Sequence, residues 1–259
     1  MLGAIAGDVI GSVYEGALPG PEDFPLFHAS CFPTDDSVLT IAVAEAILDG
    51  EPYLTAIRRW ALRHPDAGYG VMFHRWMVGD VTGPYNSYGN GSAMRVSPAA
   101  WIHDTLEATL AEAQRTSEVT HDHPEGIRGA QAVAGAIFVA RTGGGREGVR
   151  RLVEDRFGYD ASLPLEQMRR DSKFDETCQG TVPQAVSVAL MSTSVEDAIR
   201  KAVSIGGDAD TLACIAGSIA EGLHGGVPRA LADAVLSRLD ERQRGVTERF
   251  VARYGVPIR

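Results

Sequence analysis

Apolar residues along this chain recur mainly at spacings of three and four, the period of a helix that buries one face. The clearest run follows Thr211 and consists of Leu212, Ile215, Ile219 and Leu223. Small residues between them would let other helices approach closely, and these are Ala213, Ala216, Gly217 and Ala220. The pattern predicts a helix that is too apolar to lie anywhere but in the core.

The same periodicity predicts most of the remaining elements. Helical patterns cover residues 3–16, 38–47, 51–63, 105–118, 127–138, 182–190 and 195–203, with one or two amphipathic helices after Pro228. Residues 17–33 and the polar stretch that leads to Pro84 are predicted to be loops. Strand-like alternation of any length is absent, and no change of composition marks a linker. We therefore predict an all-α fold in one compact domain over residues 1–259.

The first predicted helix carries glycine at every fourth place, at Gly3, Gly7 and Gly11. A stripe of small residues on one helix face indicates close packing against another helix. Asp8 and Glu15 are two helical turns apart, so we predict that they share a face of this helix. That face is either solvated surface or one wall of a site, and the residues alone leave both readings open.

The overall charge limits the partners that this chain can have. Lysine and arginine number 24 against 34 aspartate and glutamate, which gives a net charge of −10 and a pI near 5.2. This balance argues against nonspecific binding to nucleic acid or to an anionic membrane surface. An anionic small ligand is still compatible with it, because bound divalent cations can invert the local field.

Targeting and redox signals are weak. Residues 1–12 are fairly apolar but lack a basic stretch and contain Asp8, which argues against a secretory signal. No stretch approaches the length of about eighteen apolar residues that a membrane span needs. The three cysteines, Cys31, Cys178 and Cys214, match no zinc or redox spacing. We therefore predict reduced thiols and a cytoplasmic protein.

Two clusters of acidic and hydroxyl residues each precede a strongly apolar helix. The first is Thr34–Asp35–Asp36–Ser37, and the second lies within Gly206–Gly207–Asp208–Ala209–Asp210–Thr211. Either cluster alone could be a helix cap that also complements the helix dipole. Two such clusters in one chain instead predict two halves of a metal site. Oxygen ligands of this kind suit magnesium or manganese rather than zinc.

Two further segments could hold a ligand. Residues 84–95 are rich in Gly, Asn and Ser, which is typical either of a plain loop or of a nest of backbone N–H groups around a diphosphate. The segment is no P-loop, since the Lys-Ser/Thr ending is missing. His121 and His123 flank Asp122 before the next helix. Because no companion ligands support a zinc site, we expect His121 to stack on or hydrogen-bond a ligand.

Taken together, these motifs resemble those of the ADP-ribosylglycohydrolase family. The resemblance covers nearly the whole chain and rests on five segments: Gly7–Asp8 with Gly11–Ser12 and Tyr14–Glu15, then Thr34–Asp35–Asp36, Ser87–Arg95, Thr120–His121, and Gly206–Thr211. It implies an all-α orthogonal multi-helix fold with a cleft that holds two metal ions. It also implies hydrolysis of the glycosidic bond between ADP-ribose and an acceptor.

The resemblance assigns roles residue by residue. It implies that two Mg²⁺ or Mn²⁺ ions are held by Thr34, Asp35, Asp36, Asp208, Asp210 and Thr211. It implies that ADP-ribose is contacted by Ser87, Tyr88, Gly89, Asn90, Gly91 and His121. Glu15 matches a glutamate near the metals that is thought to transfer protons, and catalysis would rest on Glu15, Asp35 and Asp36.

One departure and two rival functions stay open. Ser87 stands where the nitrogenase-regulating branch of the family carries an additional acid, so the loop is closer to the serine-hydrolase branch. The identity of the acceptor stays open among arginine, serine, a nucleic-acid end and free O-acetyl-ADP-ribose. The rivals are a noncatalytic ADP-ribose-binding or structural relative and a magnesium-dependent phosphate-ester hydrolase.

Overall fold

The apolar run after Thr211 forms the central helix of the fold, α12, and every residue from Ala209 to Gly222 is buried. The computed structural model describes residues 1–259. Four helices pack against α12: α1 (Leu2–Gly11), α7 (Pro124–Arg141), α10 (Cys178–Met191) and α11 (Val195–Ile205). With its own bounds at Ala209 and Leu223, α12 confirms the buried helix that the sequence predicts.

The other helices surround this group, and the two loops that bear the remaining predicted site residues lie between them. They are α2 (Asp35–Asp49), α3 (Tyr53–Arg63), α4 (Val71–Met77), α5 (Gly91–Met94), α6 (Leu106–Ser117), α8 (Gly145–Arg151), α9 (Leu165–Arg170), α13 (Arg229–Leu236) and α14 (Glu241–Tyr254). A 3₁₀ turn spans Ser97–Trp101 and a π turn spans Leu152–Arg156. The fold contains two isolated β-bridges and no strand, so the all-α prediction is confirmed. A single cluster of 74 buried hydrophobic residues forms the core.

The glycine stripe of α1 lies directly against α12. A Cβ atom added to Gly7 would lie 2.0 Å from the carbonyl oxygen of Ala213, and one added to Gly3 would lie 2.2 Å from that of Gly217. Only glycine fits at such distances. The close helix packing predicted from the stripe is therefore confirmed, and it brings Asp8 on α1 beside the N-terminal end of α12.

The predicted extent of the first helix is wrong, because α1 ends at Gly11 and not at residue 16. The residues that follow form a turn whose backbone pairs with the loop before α12: Gly16 donates to the carbonyl of Gly207, and Gly207 donates to that of Ala17. Asp8 and Glu15 therefore do not share a helix face. Asp8 is fully buried, whereas Glu15 is exposed on the turn.

The polar stretch before Pro84 is also not a plain loop, since it contains α4. This short helix buries Phe73, Trp76 and Met77, whose spacing of three and four is too brief to stand out among the surrounding glycines and polar residues. No helix combines the length and the apolar character that crossing a bilayer requires. All three cysteines are free and buried.

Candidate active site

The N-terminal ends of α2 and α12 meet, and they bring the two predicted acidic clusters together. Thr211 donates a hydrogen bond of 3.2 Å to Asp36 Oδ2, and both residues are buried. Carboxylate oxygens of Asp36, Asp210 and Asp8 lie within 4.8 Å of one another. Residues from three helices thus form one acidic centre.

Asp8 is the member of this centre whose role the sequence does not reveal. Its carboxylate accepts from the backbone N–H of Thr34 (3.0 Å) and of Ser37 (3.1 Å), and from both of their hydroxyls. Those N–H groups belong to the first turn of α2, which has no earlier helical carbonyl to bind. Asp8 therefore caps α2 from another helix. The available signal was one acid inside an otherwise wholly apolar and glycine-rich helix.

Asp208 occupies the N-cap position of α12, but its side chain makes no capping hydrogen bond. It accepts instead from Asn90 Nδ2 at 2.5 Å, and the same Asn90 amide donates to Thr181 at 2.9 Å. The capping alternative is therefore wrong for Asp208. Asn90 was predicted to contact a substrate, and its amide group is engaged in orienting this carboxylate.

The electrostatics of the centre favour a bound cation. Burial, and next the charge of Asp210, raise the pKa of Asp36 well above its usual range. Burial together with Asp210 raises the pKa of Asp8 to about 7. Buried oxygens Asp36 Oδ1 and Asp210 Oδ1 have no hydrogen-bond partner. Buried carboxylate oxygens without donors are costly unless a positive charge is near them, so these residues fit a hard divalent cation.

Asp35 and Asp208 complete the acidic set. Both carboxyl pKa values are raised well above the usual range, mainly by burial and next by Asp210. Asp35 is half-buried and lines the cavity, whereas its neighbour Thr34 does not line it. The hydroxyl of Thr34 donates to Asp8 at 2.5 Å. A metal-binding role for Thr34 stays a prediction.

A cavity of about 1010 Å³ opens above the acidic centre. Apart from Thr34, every predicted site residue lines it: Glu15, Asp35, Asp36, Ser87, Tyr88, Gly89, Asn90, Gly91, His121, Asp208, Asp210 and Thr211. Sequence reasoning did not find four aromatic and apolar residues of the wall, Tyr69, Met72, Phe73 and Phe174. These residues come from segments without a recognisable motif.

The glycine-rich segment lies across the cavity from the acids, against His121. A Cβ on Gly91 would lie 3.0 Å from His121 Nε2, so the glycine keeps this approach open. The backbone N–H of Gly89 donates to Ser87 Oγ (3.1 Å), and that of Asn90 donates to the carbonyl of Glu176 (2.7 Å). Two N–H groups of the proposed nest are thus engaged within the protein, and a diphosphate-binding role for the segment stays a prediction.

The His-Asp-His stretch divides into separate roles. His123 Nδ1 accepts from the backbone N–H of Glu125 (3.0 Å) and caps α7. Asp122 accepts from the backbone N–H of Asn86 at 2.7 Å and so ties the two loops together. His121 is buried at the cavity wall. The two histidines do not form a metal pair.

Glu15 stands at the mouth of the cavity, on the turn after α1. Its pKa is raised by partial burial, by the charge of Asp210 and by that of Glu176 across the opening. A carboxyl group whose pKa is moved toward neutrality can take or give a proton under physiological conditions. A role for Glu15 in proton transfer stays a prediction that this raised pKa is compatible with.

The chain is similar in sequence and fold to known hydrolases. The sequence model of the ADP-ribosylglycohydrolase family matches residues 1–256. ADP-ribosylarginine hydrolase Tri1 of Pseudomonas putida is 26% identical over 261 residues, with 87% of this chain and 69% of the relative covered. ADP-ribosylhydrolase ARH3 of Xenopus tropicalis is 24% identical over 300 residues, with 87% and 86% covered.

A solved structure has the same fold. It is described as an ADP-ribosylglycohydrolase-related protein complex, and it aligns with a TM-score of 0.73 and 24% identity over 98% of this chain and 96% of that one. The order of motifs, the helical architecture and the match along almost the full length agree. The chain therefore belongs to the ADP-ribosylglycohydrolase family of enzymes, as its sequence predicts.

Proposed function

We propose that this protein hydrolyses the glycosidic bond between ADP-ribose and an acceptor and releases ADP-ribose. The observation that carries the proposal is the meeting of two acidic clusters on one wall of a cavity whose other wall holds the Ser87–Gly91 segment and His121. A nucleotide sugar could place its diphosphate against the wall with the Ser87–Gly91 segment and its ribose hydroxyls against the acidic wall. The volume of about 1010 Å³ is sufficient for a ligand of that size.

Two Mg²⁺ or Mn²⁺ ions are the proposed cofactors. The residues that would hold them are Thr34, Asp35, Asp36, Asp208, Asp210 and Thr211, and the unpartnered oxygens of Asp36 and Asp210 support this assignment. Cations bound there would polarise ribose hydroxyls and lower the pKa of a bound water. Asp8 and Asn90 would support these residues. Asp8 fixes the start of α2, and Asn90 orients the carboxylate of Asp208.

The protein's own groups would handle the proton and the orientation of the sugar. Glu15 at the cavity mouth would exchange a proton with water or with the departing acceptor. Asp35 is half-buried beside the opening and would position the reacting ribose. His121 and the glycine-rich segment would hold the nucleotide end away from bulk solvent, with the aromatic wall around it.

The experiment is an assay of ADP-ribose release from substrates with arginine, serine or nucleic-acid linkages and from O-acetyl-ADP-ribose. Each is assayed with Mg²⁺ or Mn²⁺ and with a chelator. Metal-dependent release from one class would establish the reaction and the acceptor together. AMP or inorganic phosphate as the product would favour a phosphate-ester hydrolase. Binding of ADP-ribose without release from any substrate would favour a noncatalytic relative.

A further inference from the structure

Arg95 is a wholly buried arginine that forms no ion pair. Its exposed fraction is 0%, and its Nη2 donates to the carbonyl of Thr116 at 2.9 Å and to the hydroxyl of Thr120 at 2.7 Å. Nε and Nη1 have no hydrogen-bond partner. Burial lowers the pKa of Arg95 to about 10, which still leaves it charged at neutral pH. A charge kept in the interior is costly, and this points to a role beyond packing.

The contact with Thr120 has a direction, because a guanidinium can only donate. Thr120 Oγ1 must accept from Arg95, and the same oxygen lies 2.7 Å from His121 Nδ1. The threonine hydroxyl has one proton to give, and the imidazole nitrogen lies at a short hydrogen-bond distance from its oxygen. Donation of this proton to Nδ1 gives the buried hydroxyl both an incoming donor and an acceptor, and it makes Nδ1 the acceptor.

A competing arrangement would turn the Thr120 hydroxyl toward the phenol of Tyr85 and place the imidazole proton on Nδ1. A hydrogen-bonding interaction with the Thr120 hydroxyl acts on the pKa of the Tyr85 phenol. The contact with Nδ1 is nevertheless the one with the distance of a strong hydrogen bond, 2.7 Å, whereas the two hydroxyls are not in such close contact. The geometry therefore favours donation to His121.

We propose that Arg95 and Thr120 are positioning residues that hold His121 as the neutral tautomer with its proton on Nε2. Nε2 has no protein partner and faces the cavity, where added Cβ atoms on Gly91 and Gly89 would lie 3.0 and 3.4 Å from it. Burial and the charge of Arg95 also lower the pKa of His121 well below its usual range, so the ring is neutral.

The tautomer decides which ligand this part of the cavity accepts. An N–H on Nε2 donates to an oxygen acceptor, such as an oxygen of the diphosphate in the proposed substrate. The opposite tautomer would present a lone pair there and repel that oxygen. The choice of ligand rests on the proposed function, while the protonation state of His121 does not.

The direct test is a long-range ¹H–¹⁵N NMR spectrum of the ¹⁵N-histidine-labelled protein at neutral pH, with His121→Gln to assign the signals among seven histidines. We expect a pyridine-like Nδ1 and a pyrrole-like Nε2 for His121. A pyrrole-like Nδ1, or two equivalent nitrogens of an imidazolium, would overturn the proposal. This measurement needs no variant other than the one used for assignment.

Thr120→Val tests the relay itself, with Thr120→Ser as the variant that keeps the hydroxyl. Valine is expected to shift His121 toward the Nδ1–H tautomer and to weaken ADP-ribose binding about 10-fold, the effect of one lost hydrogen bond to a charged group. Serine is expected to restore both readouts. An unchanged tautomer in the valine variant would refute the relay. If wild-type protein has the expected tautomer but binds no ADP-ribose, the proposed function fails and the relay stands.

Discussion

Thr211 donates a hydrogen bond to Asp36 Oδ2 over 3.2 Å, although the two residues are 175 positions apart in the chain. The contact joins the first turn of α2 to the first turn of α12. It leaves Asp36 Oδ1 without a partner, and Asp210 Oδ1 nearby is also unpartnered. The contact holds the two helix starts so that the carboxylates of Asp36 and Asp210 lie close together. The repulsion between these carboxylates is therefore imposed by the fold.

This repulsion gives the first prediction. We expect Asp36→Asn and Asp210→Asn each to abolish Mn²⁺ binding in calorimetry and to reduce turnover at least about 100-fold. Each is also expected to stabilise the metal-free protein by about 1 kcal/mol, because a buried like charge is removed. For a chain of this size that is a rise of roughly 2–4 °C in Tm. Asp233→Asn, on the exposed face of α13, is the matched control and should change nothing. A metal-free variant that melts earlier than wild type would contradict the argument.

The same carboxylates predict how stability depends on pH when no metal is bound. A carboxyl whose pKa is raised in the folded state binds more protons there than in the unfolded chain, so stability falls as pH rises toward the folded pKa. The pKa of Asp8 is raised to about 7, and the pKa values of Asp35, Asp36 and Asp208 are also raised. Buried His121 acts in the opposite direction, but only below its usual pKa of about 6.5.

We therefore expect the Tm of chelator-treated protein to fall between about pH 6.5 and pH 8, where the histidine contribution is already complete. Mn²⁺ should remove most of this fall, since it replaces the protons. Asp36→Asn should make it shallower. A Tm that rises across this interval in the presence of chelator would mean that the acidic centre is not strained by its charges.

The sequence predicted the parts of the site that consist of consecutive residues. Each acidic cluster lies within four positions and directly precedes an apolar helix, so composition and period both point to it. The sequence could not show that Asp8 caps α2, because that contact links two helices whose relative placement depends on the whole core. Glu15 was expected on the wrong element for the same reason, since α1 is ended by backbone pairing with Gly207.

The walls of the cavity were harder to predict. Phe73 lies in a short helix, α4, hidden among glycines and polar residues, while Tyr69 lies just before that helix and Phe174 lies in a loop. No local rule connects these residues, since their shared environment arises only when α4 and the loop before α10 meet over the cavity. The glycine stripe of α1 was predictable because its period matches a helix face.

That stripe gives a prediction on stability. Gly7→Ala would place a Cβ 2.0 Å from the carbonyl oxygen of Ala213, so α1 and α12 would have to separate. We expect a loss of at least about 3 kcal/mol in the free energy of unfolding, or failure to fold. Gly245→Ala in α14 is the matched control, because no atom lies within 4 Å of the added Cβ. It should stabilise the protein by about 0.5–1 kcal/mol. Urea denaturation of both variants measures the contrast, and equal effects would refute the close-packing argument.

The last prediction concerns the proton at the cavity mouth, where two carboxylates face the opening. Glu15 and Glu176 both line the cavity, and the charge of Glu176 raises the pKa of Glu15. The charge of Asp210 also raises the pKa of Glu15, which links Glu15 to the acidic centre. We expect Glu15→Gln to lower kcat by about 10²- to 10⁴-fold, the range for loss of a general acid or base. KM and Mn²⁺ affinity should change little.

Glu176→Gln is the comparison that separates proton transfer from a general effect of charge. It removes the same charge from the same opening and keeps the backbone carbonyl that accepts from Asn90. We expect its kcat to stay within about threefold of wild type, since a solvent-exposed charge contributes little. The pH profile of kcat should lose one limb in Glu15→Gln and keep both in Glu176→Gln. If both variants lose activity equally and keep both limbs of the pH profile, then the negative charge at the cavity mouth is what supports catalysis. Glu15 would in that case not be the proton-transfer group.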